Sequence, residues 1–194
     1  MAKAQPITGL DAQAPTARNV RVILRQRLDD MYSYAPYIDN PDNIQDLHDL
    51  RIATKRVRYT LELFEEFLPT ASKGYAEKLA RLQDELGALH DSEVMLVLLR
   101  QLLQPGNAEK DARKAAETPA DPTATLLSPE MARTILHPAH ASALSSKERQ
   151  GLLGFLQRQE QRREQSYANF RQHWQELEQR QFRASILEML SSEW

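Results

Sequence analysis

The spacing of the apolar residues constrains the fold of this chain more than any other feature. Apolar residues recur at i, i+3, i+4 and i+7 in most segments, as between Leu47 and Phe64. This spacing places them on one face of an α-helix. A half-buried β-strand would need Val, Ile and Thr alternating with polar residues between turns, and the sequence contains no such run. The pattern therefore predicts an all-α protein.

Four helices are predicted in the first half of the chain. Their ranges are Thr16 to Ser33, Asn43 to Phe67, Tyr75 to Leu89 and Ser92 to Leu103, with Thr16, either Asp42 or Asn43, and Asp91 as N-caps. Pro69 ends the second helix and the pair Pro105-Gly106 ends the fourth. Because short loops favour antiparallel neighbours, we expect an antiparallel four-helix bundle unit.

Composition divides the chain into four segments. We expect a disordered tail at 1–15, the four-helix unit at 16–104, a flexible connector rich in Pro, Ala and Thr at 105–128, and a C-terminal helical part of the same domain at 129–194. The last segment is predicted to contain a short helix at Pro129 to Leu136, a capping box of Ser145 and Glu148, a long helix from Ser146 to Leu177, and a final helix from Phe182 to Leu190.

The bulk composition excludes several kinds of chemistry. The 194 residues include no cysteine, which removes disulfides, thiol nucleophiles and thiolate metal sites. No segment reaches the roughly 18 consecutive apolar residues of a membrane span, and the N-terminus lacks an apolar signal core. We therefore expect a cytoplasmic protein. Its net charge is -2, so affinity for a polyanion would have to come from local clustering of cations.

Such a cluster adjoins the apolar stripe of the second predicted helix. The stripe consists of Leu47, Leu50, Thr54, Val57, Leu61 and Phe64. The residues that follow its first four members are His48, Arg51, Lys55 and Arg58, and we call these four the basic row. Like charges at this spacing repel by a few tenths of a kcal/mol per pair, and no acidic residue lies between Arg51 and Arg58 on that face. One cation per turn, roughly 5 Å apart, predicts a bound anion with repeated charge, such as a polyphosphate chain.

Two other predicted helices carry shorter cationic rows beside their apolar stripes. These rows are Arg18, Arg21 and Arg25 in the first helix and Lys78 and Arg81 in the third. If the helices pack as a bundle, the rows can converge with the basic row to line one basic groove.

Two stretches resemble the CHAD domain family, which is named for a histidine-bearing α-helical fold. They are "LHDLRIATKRVRYTLELFEEFLP" and "LARLQDELGALHDSEVMLVLL", and with the preceding Arg-rich helix they cover roughly Arg18 to Leu103. The pattern H-x-x-R-x-x-x-K-R-x-R-Y followed by L-Q-D-x-L-G-x-x-x-D is long and specific. The resemblance implies helical bundles whose basic surface binds inorganic polyphosphate and which are often associated with polyphosphate granules.

The resemblance also assigns roles to individual residues. It places His48, Arg51, Lys55, Arg56 and Arg58 at the ligand surface, with Lys78 and Arg81 as helpers. It gives Gln83, Gly87 and Asp91 architectural roles, with Gly87 allowing close approach of two helices. No metal or cofactor is expected, and we expect binding without catalysis.

One departure from the family leaves two alternatives open. CHAD domains usually contain two related bundles, each with its own basic helix, whereas this chain has one clear H-x-x-R-x-x-x-K-R block. Either the protein pairs with itself as a homodimer to complete the basic surface, or arginines of the long C-terminal helix supply the missing side. Those arginines are Arg158, Arg162, Arg163 and Arg171.

Three other functions are weighed against polyphosphate binding. A phosphatase or kinase would need clustered acidic metal ligands, which the sequence does not show, and His137 and His140 in "HPAH" are a weak metal signal. A nucleic-acid binder fits poorly with the negative net charge and with basic rows that lack interleaved aromatic residues. A helical scaffold would use the charged rows for salt bridges between subunits.

Overall fold

A computed structural model of the protein describes residues 5–103 and 145–191. The described residues form five α-helices and two short 3-10 helices, and none of them lies in a strand, which confirms the all-α prediction. The helices are α1 Thr16–Tyr32, α2 Ile44–Leu63, α3 Ser72–Leu103, α4 Ser146–Gln179 and α5 Phe182–Ser191, with 3-10 helices at Ala35–Tyr37 and Glu65–Phe67. The predicted connector at 105–128, the predicted helix at Pro129 to Leu136, and His137 and His140 lie outside the described residues.

The chain divides into two compact units, and each is described by itself. The first unit contains residues 1–87 and 167–194, and the second contains residues 88–166. All ten residues predicted to bind the ligand belong to the first unit. In its core, α1 packs against α2 and α5. Apolar residues of all three helices are fully buried there, namely Leu24, Leu50, Val57 and Ile186.

The third and fourth predicted helices are one continuous helix, so the predicted N-cap at Asp91 is wrong. The buried stripe of Leu82, Leu86 and Leu89 continues through Leu96 at helical spacing, so the apolar face does not change direction. No proline follows Gly87 before the end of α3. The helix therefore has neither a packing reason nor a backbone reason to stop at Asp91.

The other helix starts agree with the sequence to different degrees. The capping box before α4 is confirmed, because Ser145 N donates to Glu148 Oε2 and Glu148 N donates to Ser145 Oγ. Thr16 is the first residue of α1 rather than its N-cap, a position that Pro15 occupies without a side-chain hydrogen bond. Asn43 stands at the N-cap of α2, but its amide donates to the carbonyl oxygen of Tyr37 instead of capping the helix.

The segment before α1 is held against that helix, although a disordered tail was predicted there. Thr8 N donates to Gln26 Oε1 at 3.0 Å, and Gln26 Nε2 donates to Thr8 O at 2.8 Å. Asn19 makes a similar two-way contact with the backbone of Asp11. Side-chain amides of α1 thus satisfy the backbone groups of this segment, a contact that local composition does not reveal.

Candidate anion-binding site

The apolar stripe sets the orientation of α2 within the first unit. Leu47, Leu50, Val57 and Leu61 are buried, as the sequence predicted, and so is Thr54. These residues turn one side of α2 towards the core, which leaves two flanks and an outer surface for the charged residues. The position of each charged side chain therefore depends on which flank it occupies.

The flank that carries Arg56 faces α1. Arg56 Nη1 lies 3.6 Å from Asp30 Oδ2, and the Asp30 side chain is only 8% exposed. A buried carboxylate needs such a partner, since leaving it alone would be costly. Arg56 was predicted to contact the ligand, but the structure places it in an ion pair between two helices. The sequence could not reveal this pair, because its members are 26 positions apart on different helices.

The basic row occupies the opposite flank, on which Arg51 faces α3. Arg51 is about 140° around the helix from Arg56. A Cβ atom built on Gly87 of α3 would lie 3.7 Å from Arg51 Nε. Nearer the end of α2, Leu61 lines the same cavity as Ala76 of α3. We call this region the α2–α3 interface, defined by the basic row together with Gln83 and Gly87.

Within the basic row, charge compensation is uneven. Arg58 Nε lies 3.5 Å from Glu62 Oε1, and the Arg58 guanidinium lies 4.8 Å from the centre of the Tyr59 ring. Lys55 is exposed, with Nζ 5.3 Å from the same ring centre. No carboxylate of the described residues pairs with Arg51 or Lys55. The middle of the row therefore keeps its positive charge, as the sequence predicted.

Two guanidinium nitrogen atoms of the row are buried without a hydrogen bond. They are Arg51 Nε, which also has no carboxylate partner among the described residues, and Arg58 Nε, whose contact with Glu62 Oε1 is an ion pair without hydrogen-bond geometry. A buried donor without an acceptor typically costs about 1–3 kcal/mol, and more when it is charged. An anion placed against this flank would supply acceptors for the charged guanidinium groups.

His48 begins the row and is half-buried. Its pKa is lowered from the ordinary value of 6.5, chiefly because burial disfavours the charged imidazolium, and Arg51 lowers it further while Asp49 opposes the shift. The imidazole is therefore neutral near pH 7 and contributes a hydrogen-bonding group rather than a charge. A phosphate group close to it would favour the protonated form.

A cavity of about 200 Å³ opens where the end of α2 meets the start of α3. It is lined by Leu61, Glu62, Glu65, Ser72, Lys73, Ala76 and Glu77. Lys73 Nζ lies 2.6 Å from Glu65 Oε1, so the lysine is already paired. Three glutamates around one paired lysine repel an anion. This end of the helix pair is therefore unsuited to phosphate, in contrast to the basic row.

Lys78 and Arg81 lie on other sides of α3 from the one that faces the basic row. At 100° per residue, Lys78 is about 180° and Arg81 about 120° around the helix from Gly87. Glu85 shares their side of α3, and its Oε1 lies 2.5 Å from His173 Nδ1 of α4. Both cations are exposed. The structure therefore does not bring them to the basic row, although the sequence analysis expected the rows to converge.

The cations of α1 also lie away from the basic row. Arg18, Arg21 and Arg25 are about 120°, 180° and 140° around α1 from Asp30, which marks the flank that faces α2. Arg18 and Arg25 are exposed, and Arg18 Nη1 lies 3.9 Å from Asp11 Oδ2. The expected convergence of three rows assumed that each faced one groove, and the rotation of each helix about its axis decides otherwise.

The arginines of α4 were one of two ways to complete the basic surface. In the first unit, Arg171 pairs with Asp39. In the second unit, Arg163 pairs with Glu93, whose side chain is 7% exposed, while Arg158 and Arg162 are exposed. Glu160, which lies between Arg158 and Arg162 in the sequence, contacts Arg100 of α3 at 3.1 Å. Two of the four arginines thus already have carboxylate partners.

Comparison with known families identifies the chain. The family model described as the CHAD domain matches residues 2–100, slightly more than half of the 194 residues. The protein therefore belongs to the CHAD domain family. No curated protein and no solved structure matches it.

Within 5–103 and 145–191, no group of three or more His, Asp or Glu side chains is arranged to hold a metal ion. No helix in the same ranges is both long enough and apolar enough to cross a membrane.

Proposed function

We propose that this protein binds inorganic polyphosphate through the basic row of α2, without cleaving it. The strongest support for this proposal comes from the surroundings of Arg51. Its guanidinium lies against Gly87 of α3, its Nε has no acceptor, and no carboxylate in the described part of the chain pairs with it. Membership of the CHAD domain family supports the same ligand, because the resemblance implies polyphosphate binding.

The chemistry of the row suits a flexible chain of phosphates. Successive cations are about one helical turn, roughly 5.4 Å, apart along α2, so a chain running along the helix meets a new positive group at each turn. Arginine binds phosphate oxygens with two donors, and lysine adds a mobile point charge. The 3.5 Å contact between Arg58 and Glu62 is an exposed one on the Glu62 side, and phosphate can replace it at little cost.

The remaining predicted residues enter the proposal in a different role. Lys78, Arg81, Arg18, Arg21 and Arg25 are proposed to raise the positive potential around the bound chain rather than to contact the same phosphates. Such an effect is screened beyond about 8–10 Å at physiological salt. We therefore expect their individual contributions to be small compared with those of Arg51 and Lys55. Arg56 is proposed to act mainly through its ion pair with Asp30.

A calorimetric titration tests the proposal directly. Long-chain polyphosphate, tripolyphosphate and orthophosphate would each be titrated into the protein at two salt concentrations. We expect affinity to rise with chain length and to fall steeply with salt, since several cations act together on one ligand. Absence of binding at low salt would rule out the proposal. Release of orthophosphate in the presence of magnesium or manganese would instead support the enzymatic alternative.

Nucleic acid is the second candidate ligand, and one observation favours it. Tyr59 is 46% exposed beside the basic row, and its ring lies close to Lys55 and Arg58. Exposed aromatic rings next to cations can stack on the bases of single strands. Competition between polyphosphate and single-stranded DNA or RNA separates the two ligands. Polyphosphate should displace the strand, and Tyr59→Leu should weaken binding of the strand alone.

Location and self-association follow from the same proposal. A protein that holds polyphosphate in the cytoplasm is expected to collect where the polymer accumulates, in polyphosphate granules. A second copy of the protein would bring a second basic row to the same polyphosphate polymer, as in family members with two bundles. Light scattering with and without polyphosphate tests this self-association. We expect either homodimers of the free protein or two protein copies on each polyphosphate polymer that is long enough to hold both.

A further inference from the structure

Gln83 shares a side of α3 with Gly87, which contacts Arg51 of the basic row, because the two positions are about 40° apart around the helix. It lies four positions before Gly87, one helical turn of about 5.4 Å along α3. The residue is half-buried. Its Oε1 is fully covered and has no hydrogen-bond partner in the part of the chain that the structure describes.

This orphaned amide belongs to a wider set at the α2–α3 interface. The buried atoms there that lack a hydrogen bond are Arg51 Nε, Thr54 Oγ1, Arg58 Nε and Gln83 Oε1, and of these Arg58 Nε has an ion-pair contact with Glu62. Thr54 belongs to the buried edge of the stripe that adjoins the basic row, and it is fully buried. Buried polar atoms normally have partners, and each exception requires an explanation. Arg51 Nε is a donor and Gln83 Oε1 is an acceptor, and the two do not satisfy each other.

The side-chain amide of Gln83 has the chemistry to bind an anion. A glutamine side chain carries an acceptor oxygen and an NH₂ with two donors, and rotation about its last torsion exchanges them. With the NH₂ turned towards the basic row, Gln83 can donate to a phosphate oxygen that Arg51 also binds. With the oxygen turned there, the side chain can accept from a guanidinium group but cannot donate to a phosphate oxygen.

We propose that Gln83 is a phosphate-binding residue that donates its side-chain amide to the chain held by the basic row. This rests on the proposed function of that row. The family resemblance implies an architectural role for Gln83, but a purely architectural glutamine would be expected to have its buried oxygen satisfied by the protein. A neutral donor also adds directional selection of phosphate oxygens, because a hydrogen bond depends on angle more strongly than a charge does.

The test separates a neutral binding residue from a cationic one by the salt dependence of tripolyphosphate affinity. Tripolyphosphate is titrated into wild type, Gln83→Met and Arg51→Gln at several salt concentrations. Loss of a hydrogen bond to a charged group is expected to weaken binding by about tenfold in Gln83→Met. The slope of log affinity against log salt should stay that of wild type, whereas Arg51→Gln should reduce that slope. Gln101→Met, an exposed site on the same helix, is the matched control and should bind like wild type.

The outcomes distinguish the two proposals. If wild type binds and Gln83→Met binds equally well, the role of Gln83 is refuted while the proposed function stands. If the wild-type protein does not bind tripolyphosphate at all, both the proposed function and the proposed role of Gln83 are refuted. Thermal unfolding of each ligand-free variant checks the fold. Should Gln83→Met fail to fold, Gln83→Glu decides the question: its carboxylate keeps the shape but repels phosphate, so it should bind more weakly than wild type at pH 7, and equal binding would refute the proposal.

Discussion

Gly87 of α3 and Arg51 of α2 lie so close that a Cβ atom on the glycine would be 3.7 Å from Arg51 Nε. The guanidinium therefore rests beside bare backbone instead of a side chain. On the other flank of the same helix, Arg56 pairs with the buried carboxylate of Asp30. Two arginines five positions apart thus have opposite surroundings, one compensated and one not, and this contrast supplies matched variants.

Arg51→Gln and Arg56→Gln should separate binding from stability. Arg51→Gln is expected to lose most polyphosphate affinity while the helical circular-dichroism spectrum stays unchanged, since no carboxylate in the described residues depends on Arg51. Arg56→Gln leaves Asp30 buried without its partner and should lower the free energy of unfolding by about 1–3 kcal/mol, with affinity little changed. Calorimetry and urea unfolding measure the two effects. The reverse pattern would show that Arg51 is structural.

Gly87→Ala should weaken polyphosphate binding without unfolding the protein. The added methyl group lies at an ordinary van der Waals distance from Arg51 Nε, so it restricts movement of the guanidinium without clashing. Alanine in place of a helical glycine stabilises by roughly 0.5–1 kcal/mol. We expect a higher unfolding temperature together with an affinity loss of a few-fold. Gly74→Ala is the control on the same helix, because no atom lies within 4 Å of its added Cβ; it should be stabilised but bind normally.

Lys55→Gln should change the salt dependence of binding more than the stability. The lysine is exposed, so its charge can be removed without disturbing packing. Each lost phosphate contact lowers the slope of log affinity against log salt by about one, by analogy with other linear polyanions. Lys147→Gln removes one exposed charge from the second unit and should leave the slope unchanged. Equal slopes in both variants would place Lys55 outside the site.

The stability of the protein should fall as the pH drops below the ordinary pKa of histidine, in part because of His48. Burial lowers the pKa of His48 in the folded state, so the unfolded chain takes up this proton first. The contribution of neutral His48 to the free energy of unfolding is fully present above about pH 6.5. It is lost as the pH falls through the pKa that His48 has in the folded state. His48→Gln should flatten this part of the curve of unfolding free energy against pH.

Polyphosphate binding should show the opposite dependence on pH at the same residue. Phosphate oxygens near the imidazole favour its protonated form, so the pKa of His48 should rise in the complex and affinity should increase as the pH falls from 7 towards 5. His48→Gln should remove this increase. Calorimetric titrations at several pH values, with salt held constant, provide the measurement. An affinity that is independent of pH in wild type would place His48 away from the bound chain.

In the second unit, Arg163→Met should destabilise the fold strongly. Arg163 pairs with Glu93, and removal of one member leaves a buried carboxylate uncompensated, which typically costs about 3–5 kcal/mol. The double variant Glu93→Leu with Arg163→Met removes both charges and should recover most of that loss. Thermal and urea unfolding of the three proteins form a double-mutant cycle. Similar stability of the single and double variants would contradict a buried pair.

The local features of this protein were predictable from its sequence. The all-α class, the capping box at Ser145 and Glu148, the bounds of α5 within one residue and the buried stripe of α2 all follow from interactions between residues a few positions apart. The basic row beside that stripe follows from the same spacing. Helical periodicity determines which residues share a face, and it does so without reference to the rest of the chain.

Only the tertiary structure decided what each face meets. It pairs Arg56 with Asp30, Arg163 with Glu93 and Arg171 with Asp39, all between residues far apart in sequence. It also turns the cations of α1 and α3 away from the basic row and extends α3 through the predicted break at Asp91. The physical reason is that charge compensation and helix rotation depend on which helices pack together, and the core sets that packing over the whole unit at once.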